Sequence, residues 1–276
     1  MNFCKMHGLK NDFVVIENMQ RQHGLTKEQI MFLCNRKEGI GADGLILIEP
    51  SLCADVRMKY FNSDGSIAQV CGNGLRCVAK YVYDKKLIAN SQMRIESEGR
   101  GYDIVIKALD EQKEAKTIRV NMGKACFESV KIPVETGDTT ALNITTEIAG
   151  ESISLSAVAF PNPHAILIAE SWDEKTMQRI GAALQQHALF LQQVNANFVI
   201  VKSRGEVELT TYERGVGITE ACGSGACATA AVLYKNNIVD AKVLVKMPGG
   251  TLKINIDSNE DVFMTGEAVT VFAGTI

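Results

Sequence analysis

A chain of 276 residues with 46% hydrophobic and 22% charged residues has material for one large core or two medium ones, and nothing in that composition suggests disorder. The formal net charge of -3 excludes the concentrated basic field that nucleic acid or an anionic membrane would meet, so neither is expected as a partner. The opening MNFCKMHGLKNDFVVIE carries polar and charged groups throughout and no apolar run approaches the roughly 18 residues of a spanning helix, so neither signal peptide nor membrane span is read, and the cytoplasm is the expected location.

In chain order, FVVIE, GLILIEP, DVRMKYF, MRIES and YDIVIKA read as short strands of a first half. ISLSAVAF, HAILIAE, NANFVIVKS, EVELTTYE, KVLVKM and TLKINI read likewise in a second half. Helical periodicity is confined chiefly to 26–36, 75–86, 173–186 and 225–236. The pattern predicts an α+β protein of two pseudo-symmetric lobes, each a curled, mostly antiparallel sheet around a central helix, with the active site in the cleft between them. It does not fit doubly wound βαβα units. LRCVAKYVYDKK and ACATAAVLYKN are small or apolar on nearly every face, so these two are the central, buried helices.

The two halves repeat one another. CGNGLRCVAKYVYDKKLI (71–88) lies over CGSGACATAAVLYKNNIV (222–239), and each copy continues as strand, turn and strand. Asn11 precedes Cys71 by the same 60 residues that separate Asn162 from Cys222. The expected organisation is an N-terminal lobe over 1–118, a C-terminal lobe over 119–262, and a final strand over 263–276 that crosses back to the first lobe.

Eight cysteines lie at 4, 34, 53, 71, 77, 126, 222 and 227, none in a CxxC pair, so no structural metal is expected and the thiols are read as reduced. Cys77 and Cys227 fall inside the predicted helices and read as packing residues. Cys71 and Cys222 sit before a Gly-x-Gly and a helix start, where unpaired N–H groups attract an anion and lower the pKa of a neighbouring thiol. Two such thiols flanking a carbon that bears a carboxylate suit racemisation without a cofactor: one takes the α-proton as thiolate and the other returns a proton to the opposite face. A dithiol redox enzyme is the weaker reading, because each thiol lacks a near neighbour in sequence.

At these motifs the sequence resembles the diaminopimelate epimerases of bacterial lysine and peptidoglycan biosynthesis. The likeness runs through KMHGLKNDFVVIE, GIGADGLILI, FNSDGS, CGNGLRC, NPHAI, VNANFV, YERG, ACGSGACA, PGGTL and MTGEAV. It implies a cofactor-free epimerase acting on a small amino acid substrate, LL- and meso-diaminopimelate, and leaves a homodimer open. It implies catalytic roles for Cys71 and Cys222, with His164 and Glu213 as their proton-handling partners. It implies that Asn62, Asn162, Asn195 and Arg214, with Asn11 close by, bind the non-reacting end, and that the backbone of Gly72, Asn73, Gly74, Gly223, Ser224 and Gly225 cradles the reacting carboxylate. Without the resemblance, His164 is one of four histidines and Asn11 could cap a turn.

The sequence departs from the family pattern at Lys10, where glycine is usual, in FLQQVN, which lacks a proline and an arginine, and at Ile67 and Ile218, where glutamates are common. The isoleucine pair keeps a second reading open, a racemase of another amino acid on the same two-cysteine scaffold. A non-catalytic relative would have no reason to keep both thiols with His164 and Glu213. Related folds host a proline racemase family and an isomerase of phenazine precursors; their cysteine motifs are written differently or absent.

Overall fold

The computed structural model describes residues 1–68 and 71–276, so Val70 of the first cysteine motif lies outside the described residues. The chain divides into two compact units, Met1–Asn121 with Thr265–Ile276, and Met122–Met264.

The first unit opens with a hairpin of β1 (Asn2–Gly8) and β2 (Asn11–Glu17). Its two-residue turn puts Leu9 at φ 55° and Lys10 at φ 66°, the pair of left-handed conformations that matches strand twist in so tight a loop. Glycine reaches that region freely, whereas a side chain there costs roughly 1–2 kcal/mol. Lys10→Gly is therefore expected to stabilise the protein by about 0.5–1 kcal/mol, once the extra unfolded-state entropy of glycine is subtracted. The check is the urea midpoint at constant m; a lowered midpoint would contradict the strain account.

From β2 the chain enters α1 (Lys27–Cys34), whose start is a capping box: the Thr26 side chain accepts from Gln29 N while the Gln29 side chain accepts from Thr26 N. This helix covers a core that includes Val14, Ile16, Ile30, Leu33 and Leu45. β3 (Gly44–Glu49) then runs parallel to β2 and antiparallel to β4 (Val56–Asn62). Next comes α2 (Gly72–Asp84), followed by β5 (Gln92–Ser97), β6 (Arg100–Leu109) and β7 (Ala115–Gly123), joined as antiparallel neighbours. β17 (Val269–Thr275) pairs antiparallel with β1. α2 packs against β1, β2, β4, β5 and β17.

In the second unit β8 (Ile144–Ile148) and β9 (Glu151–Ala159) form a hairpin, and β9 is antiparallel to β10 (Pro163–Ile168). α3 (Glu174–Leu184), capped by Asp173, leads to β11 (Asn195–Ser203), parallel to β10. β12 (Glu206–Glu213) is antiparallel to β11 and to β13 (Gly217–Thr219). α4 (Gly223–Lys235) follows, then the hairpin of β14 (Lys242–Met247) and β15 (Gly250–Ile256), and β16 (Val262–Glu267). α4 packs against β9, β10, β11, β14 and β15, while α3 closes a core that includes Leu155, Leu167, Ile180, Leu184 and Phe198. Burying side chains of this size contributes about 1.5–3 kcal/mol each, so packing rather than helix propensity holds α3 in place.

The fold is α+β, with mostly antiparallel strands and four α-helices among the described residues. Among those residues no helix is long and apolar enough to cross a membrane. One expectation about α2 and α4 needs correction. Periodicity puts their starts at 75 and 225, but they begin at Gly72 and Gly223, so each Gly-x-Gly is the helix's first turn instead of a loop before it. Close packing explains the second glycine of each. A Cβ on Gly74 would meet Ile46 Cδ1 at 3.1 Å, and one on Gly225 would meet Asn197 Oδ1 at 2.5 Å.

Candidate active site

Cys71 is the N-cap of α2: its backbone is extended, and its sulfur accepts a hydrogen bond from Gly74 N at 3.5 Å. The same sulfur donates to Asn11 Oδ1 at 3.5 Å. Asn11 stands at the start of β2, opposite Gly8 in the hairpin, and its Oδ1 also accepts from Asn73 Nδ2 at 3.2 Å. Its Nδ2 donates to Asp43 Oδ2 at 3.0 Å. The structure thus joins Cys71, Asn11 and Asn73 directly. Gly72, Asn73 and Gly74 form a buried first turn, the part of a helix that offers N–H groups to an anion. Asn62, at the end of β4, belongs by its bonds to the adjoining FNSDGS turn, where its Nδ2 donates to Ser66 Oγ at 3.0 Å.

Cys222 caps α4 in the same manner, its sulfur accepting from Gly225 N at 3.4 Å and lying 3.4 Å from Ser224 Oγ. Sequence reasoning expects a helix start to lower the pKa of such a thiol. The structure reverses that for Cys222: burial pushes the thiol well above its ordinary value, and the charge of Glu213 and its hydrogen bond push the same way. The opposing bonds from Ser224 and Gly225 N do not offset the loss of water. Glu213 ends β12 and is held by Thr219 Oγ1, which donates to Oε1 at 2.7 Å. A carboxylate beside a thiol that keeps its proton is an arrangement through which that proton can leave and return.

His164 lies on β10, paired with Asn195 on β11, and is fully buried. Asn197 Nδ2 donates to its Nδ1 at 3.1 Å, so Nε2 carries the hydrogen and donates to Asn162 Oδ1 at 3.1 Å. The Asn197 amide is itself fixed, because its Oδ1 accepts from Thr211 Oγ1 at 3.0 Å and its Nδ2 also donates to Ala165 O at 3.2 Å. Burial first, and then the charge of Arg214, lower the His164 pKa to about 3, so the ring is neutral at any ordinary working pH.

Asn195 is buried and turned inward: Nδ2 donates to Pro163 O at 3.4 Å, and Oδ1 accepts from Arg214 N at 3.0 Å. It therefore sets the backbone of Arg214, whose side chain is half-buried just past the end of β12.

Sequence reasoning missed Asn197. The available signal was a second polar residue two positions after Asn195, on the same face of an otherwise apolar strand. Cys77 and Cys227 are fully buried, and burial pushes the Cys77 thiol up to about 12. A cavity of about 410 Å³ in the second unit, lined in part by Trp172, Phe198, Leu209 and Met247, includes none of the residues above. Among the described residues no group of three or more His, Cys, Asp or Glu side chains is placed to hold a metal ion.

The family model for diaminopimelate epimerase matches residues 3–128 and 156–271. The chain is 39% identical to a diaminopimelate epimerase of Caldanaerobacter subterraneus subsp. tengcongensis over 277 residues, covering 100% of this chain and 99% of the relative. It is 38% identical to that of Agathobacter rectalis, covering 100% and 99%. Among solved structures, a probable proline racemase from Agrobacterium radiobacter matches with a TM-score of 0.71 at 12% identity, over 100% of this chain and 92% of the other. A PhzF-family phenazine biosynthesis protein from Bacillus anthracis matches with a TM-score of 0.70 at 14% identity, over 100% and 98%. At such identities these two likenesses concern the fold. A family model over most of the chain and relatives over its full length agree, and the chain belongs to the diaminopimelate epimerase family.

Proposed function

We propose that this protein interconverts LL- and meso-diaminopimelate by proton transfer between two cysteines, without a cofactor. The observation that carries the mechanism is that Cys71 and Cys222 are each the N-cap of a buried helix, with matching backbone angles (φ -120° and -117°). In this reading residues 1–118 and 119–262 are pseudo-symmetric lobes, residues 263–276 cross back, and the substrate α-carbon lies between the two sulfurs. One sulfur, as thiolate, takes the α-proton. The electron pair left on carbon spreads into the carboxylate as an enediolate, stabilised by the N–H groups of the two helix starts. The other thiol gives its proton to the opposite face, which inverts the centre and leaves the two sulfurs with exchanged protonation states.

Resetting that exchange is the task of the neighbours. Glu213 receives or returns the Cys222 proton, and His164 is the proton-handling partner of Cys71, charging only transiently because its resting ring is neutral. Arg214, with Asn62 and Asn162, holds the distal amino-carboxylate, and Asn195 contributes by fixing the Arg214 backbone. A guanidinium fork suits a carboxylate bidentately in a way that an ammonium does not.

Ile67 and Ile218 differ in their surroundings: Ile218 packs against the second unit's core, whereas Ile67 is 61% exposed. The deciding experiment compares kcat/KM for LL-diaminopimelate with kcat/KM for lysine, histidine and glutamate. Diaminopimelate is expected to lead all three, and a ratio below one for any of them overturns the substrate assignment. Arg214→Lys in the same assay should reduce diaminopimelate turnover by over tenfold, equivalent to about 1.4 kcal/mol of transition-state binding.

A further inference from the structure

We propose that Arg76 and Asp43 are positioning residues that fix the Asn11 carbonyl as the acceptor for the Cys71 thiol. The inference rests on the reading of Cys71 as a proton carrier. An asparagine amide fits almost equally well either way round, so its orientation is set by what its partners can donate or accept.

Arg76 can only donate. It is fully buried in α2, and its Nη2 donates to Asn73 Oδ1 at 2.7 Å. That turns Asn73 Nδ2 toward Asn11, whose Oδ1 accepts at 3.2 Å. At the far end an ionised Asp43 can only accept, and it takes Asn11 Nδ2 at 3.0 Å. Donors therefore run in one direction along Arg76, Asn73, Asn11 and Asp43, and both ends demand the same orientation of both amides. The remaining place on Asn11 Oδ1 faces the Cys71 sulfur at 3.5 Å.

Each end is anchored independently. Arg76 also donates to Glu267 O at 3.2 Å and to Gly72 O at 3.4 Å. Asp43 is paired with Arg36 at 2.8 Å and accepts from Asp12 N at 3.1 Å. β1 leaves room for the chain at Gly8, where a Cβ would lie 3.0 Å from Arg76 Nη2 and 3.2 Å from Asn73 Cβ.

The orientation matters because it decides what Cys71 feels. An Asn11 carbonyl accepts from the protonated thiol, whereas a flipped amide would donate N–H to the thiolate and favour ionisation. The charged groups joined to this chain are Lys5, Asp12, Arg36, Asp43 and Arg76, through the Lys5–Asp12 and Arg36–Asp12 pairs. Asp43→Asn changes one of them only, at a partly exposed position.

The test reads Cys71 directly and apart from turnover. Iodoacetamide labelling of Cys71 and Cys222 is followed against pH by peptide mass spectrometry, alongside kcat and KM for LL-diaminopimelate. Asp43→Asn is expected to lower the Cys71 labelling midpoint by about half a pH unit or more, since the lost negative charge favours thiolate and an amide at 43 no longer demands one orientation of Asn11 from that end, while Cys222 in the same digest stays within about 0.2 unit. Arg76→Met should lower kcat at least about tenfold with KM held within about threefold, and Arg76→Lys, which still only donates, should recover most of it. A Cys71 midpoint unmoved by Asp43→Asn, or an Arg76→Lys protein no more active than Arg76→Met, overturns the positioning role. Full turnover by Cys71→Ala would instead sink the reading beneath it, so the two failures are told apart.

Discussion

Cys71→Ala and Cys222→Ala are each expected to abolish interconversion of the diaminopimelate isomers, in an assay that follows both epimers and deuterium uptake at the α-carbon in D2O. Two opposite faces of one carbon need two proton carriers, and a single sulfur held at a helix N-cap cannot reach both. Cys77→Ala and Cys227→Ala are the matched controls: both thiols are fully buried inside helices, so losing them costs packing and leaves proton transfer intact. A singly substituted Cys71 or Cys222 variant with wild-type turnover would falsify the two-base mechanism.

Glu213→Gln should produce an apparent contradiction, a Cys222 that ionises more easily in a much slower enzyme. Glu213 raises the Cys222 pKa both by its charge and by its hydrogen bond, so the neutral amide lets that pKa fall. Burial is the largest cause and persists, so the thiol stays above its ordinary value. Labelling of Cys222 should accordingly begin at lower pH in the variant than in the natural protein. Turnover should drop by about 10²–10⁴, the usual contribution of a positioned proton acceptor, because the amide cannot take up the proton that Cys222 must shed to be reset. An unchanged Cys222 labelling profile would remove Glu213 from this role.

How much the sequence discloses depends on whether a feature is carried by local chemistry or by burial. The cysteine motifs are legible because Cys-Gly-x-Gly is rare, occurs twice and precedes apolar helices. β1 is harder to read, since NFCKMHG places a lysine in its middle. The structure buries Lys5 against Asp12 at 2.7 Å, a neutralisation supplied by the next strand and invisible in the run itself. The helix starts are misjudged for a related reason: glycine weakens the periodic signal, and only the facing side chains at Ile46 and Asn197 show why glycine is needed. The Cys222 pKa is misjudged in sign because a helix start can be recognised in sequence and desolvation cannot. Ile67 and Ile218 look equivalent by spacing, yet one faces solvent and the other a core.

The N-cap position of the two cysteines gives the protein an unusual vulnerability. Sulfur is a weak acceptor, whereas a serine hydroxyl is among the best caps a helix can have, and replacing a good cap by alanine costs about 0.5–2 kcal/mol. Selection for folding alone would thus favour serine at 71 and 222, and on the proposed two-cysteine mechanism selection for chemistry opposes it. A chain that drifted to serine at either position would express well, melt no earlier than its parent and escape cellular quality control, while having lost its reaction. On that mechanism a serine at either site is silent to assays of foldedness, and a measurement of turnover is needed to detect it.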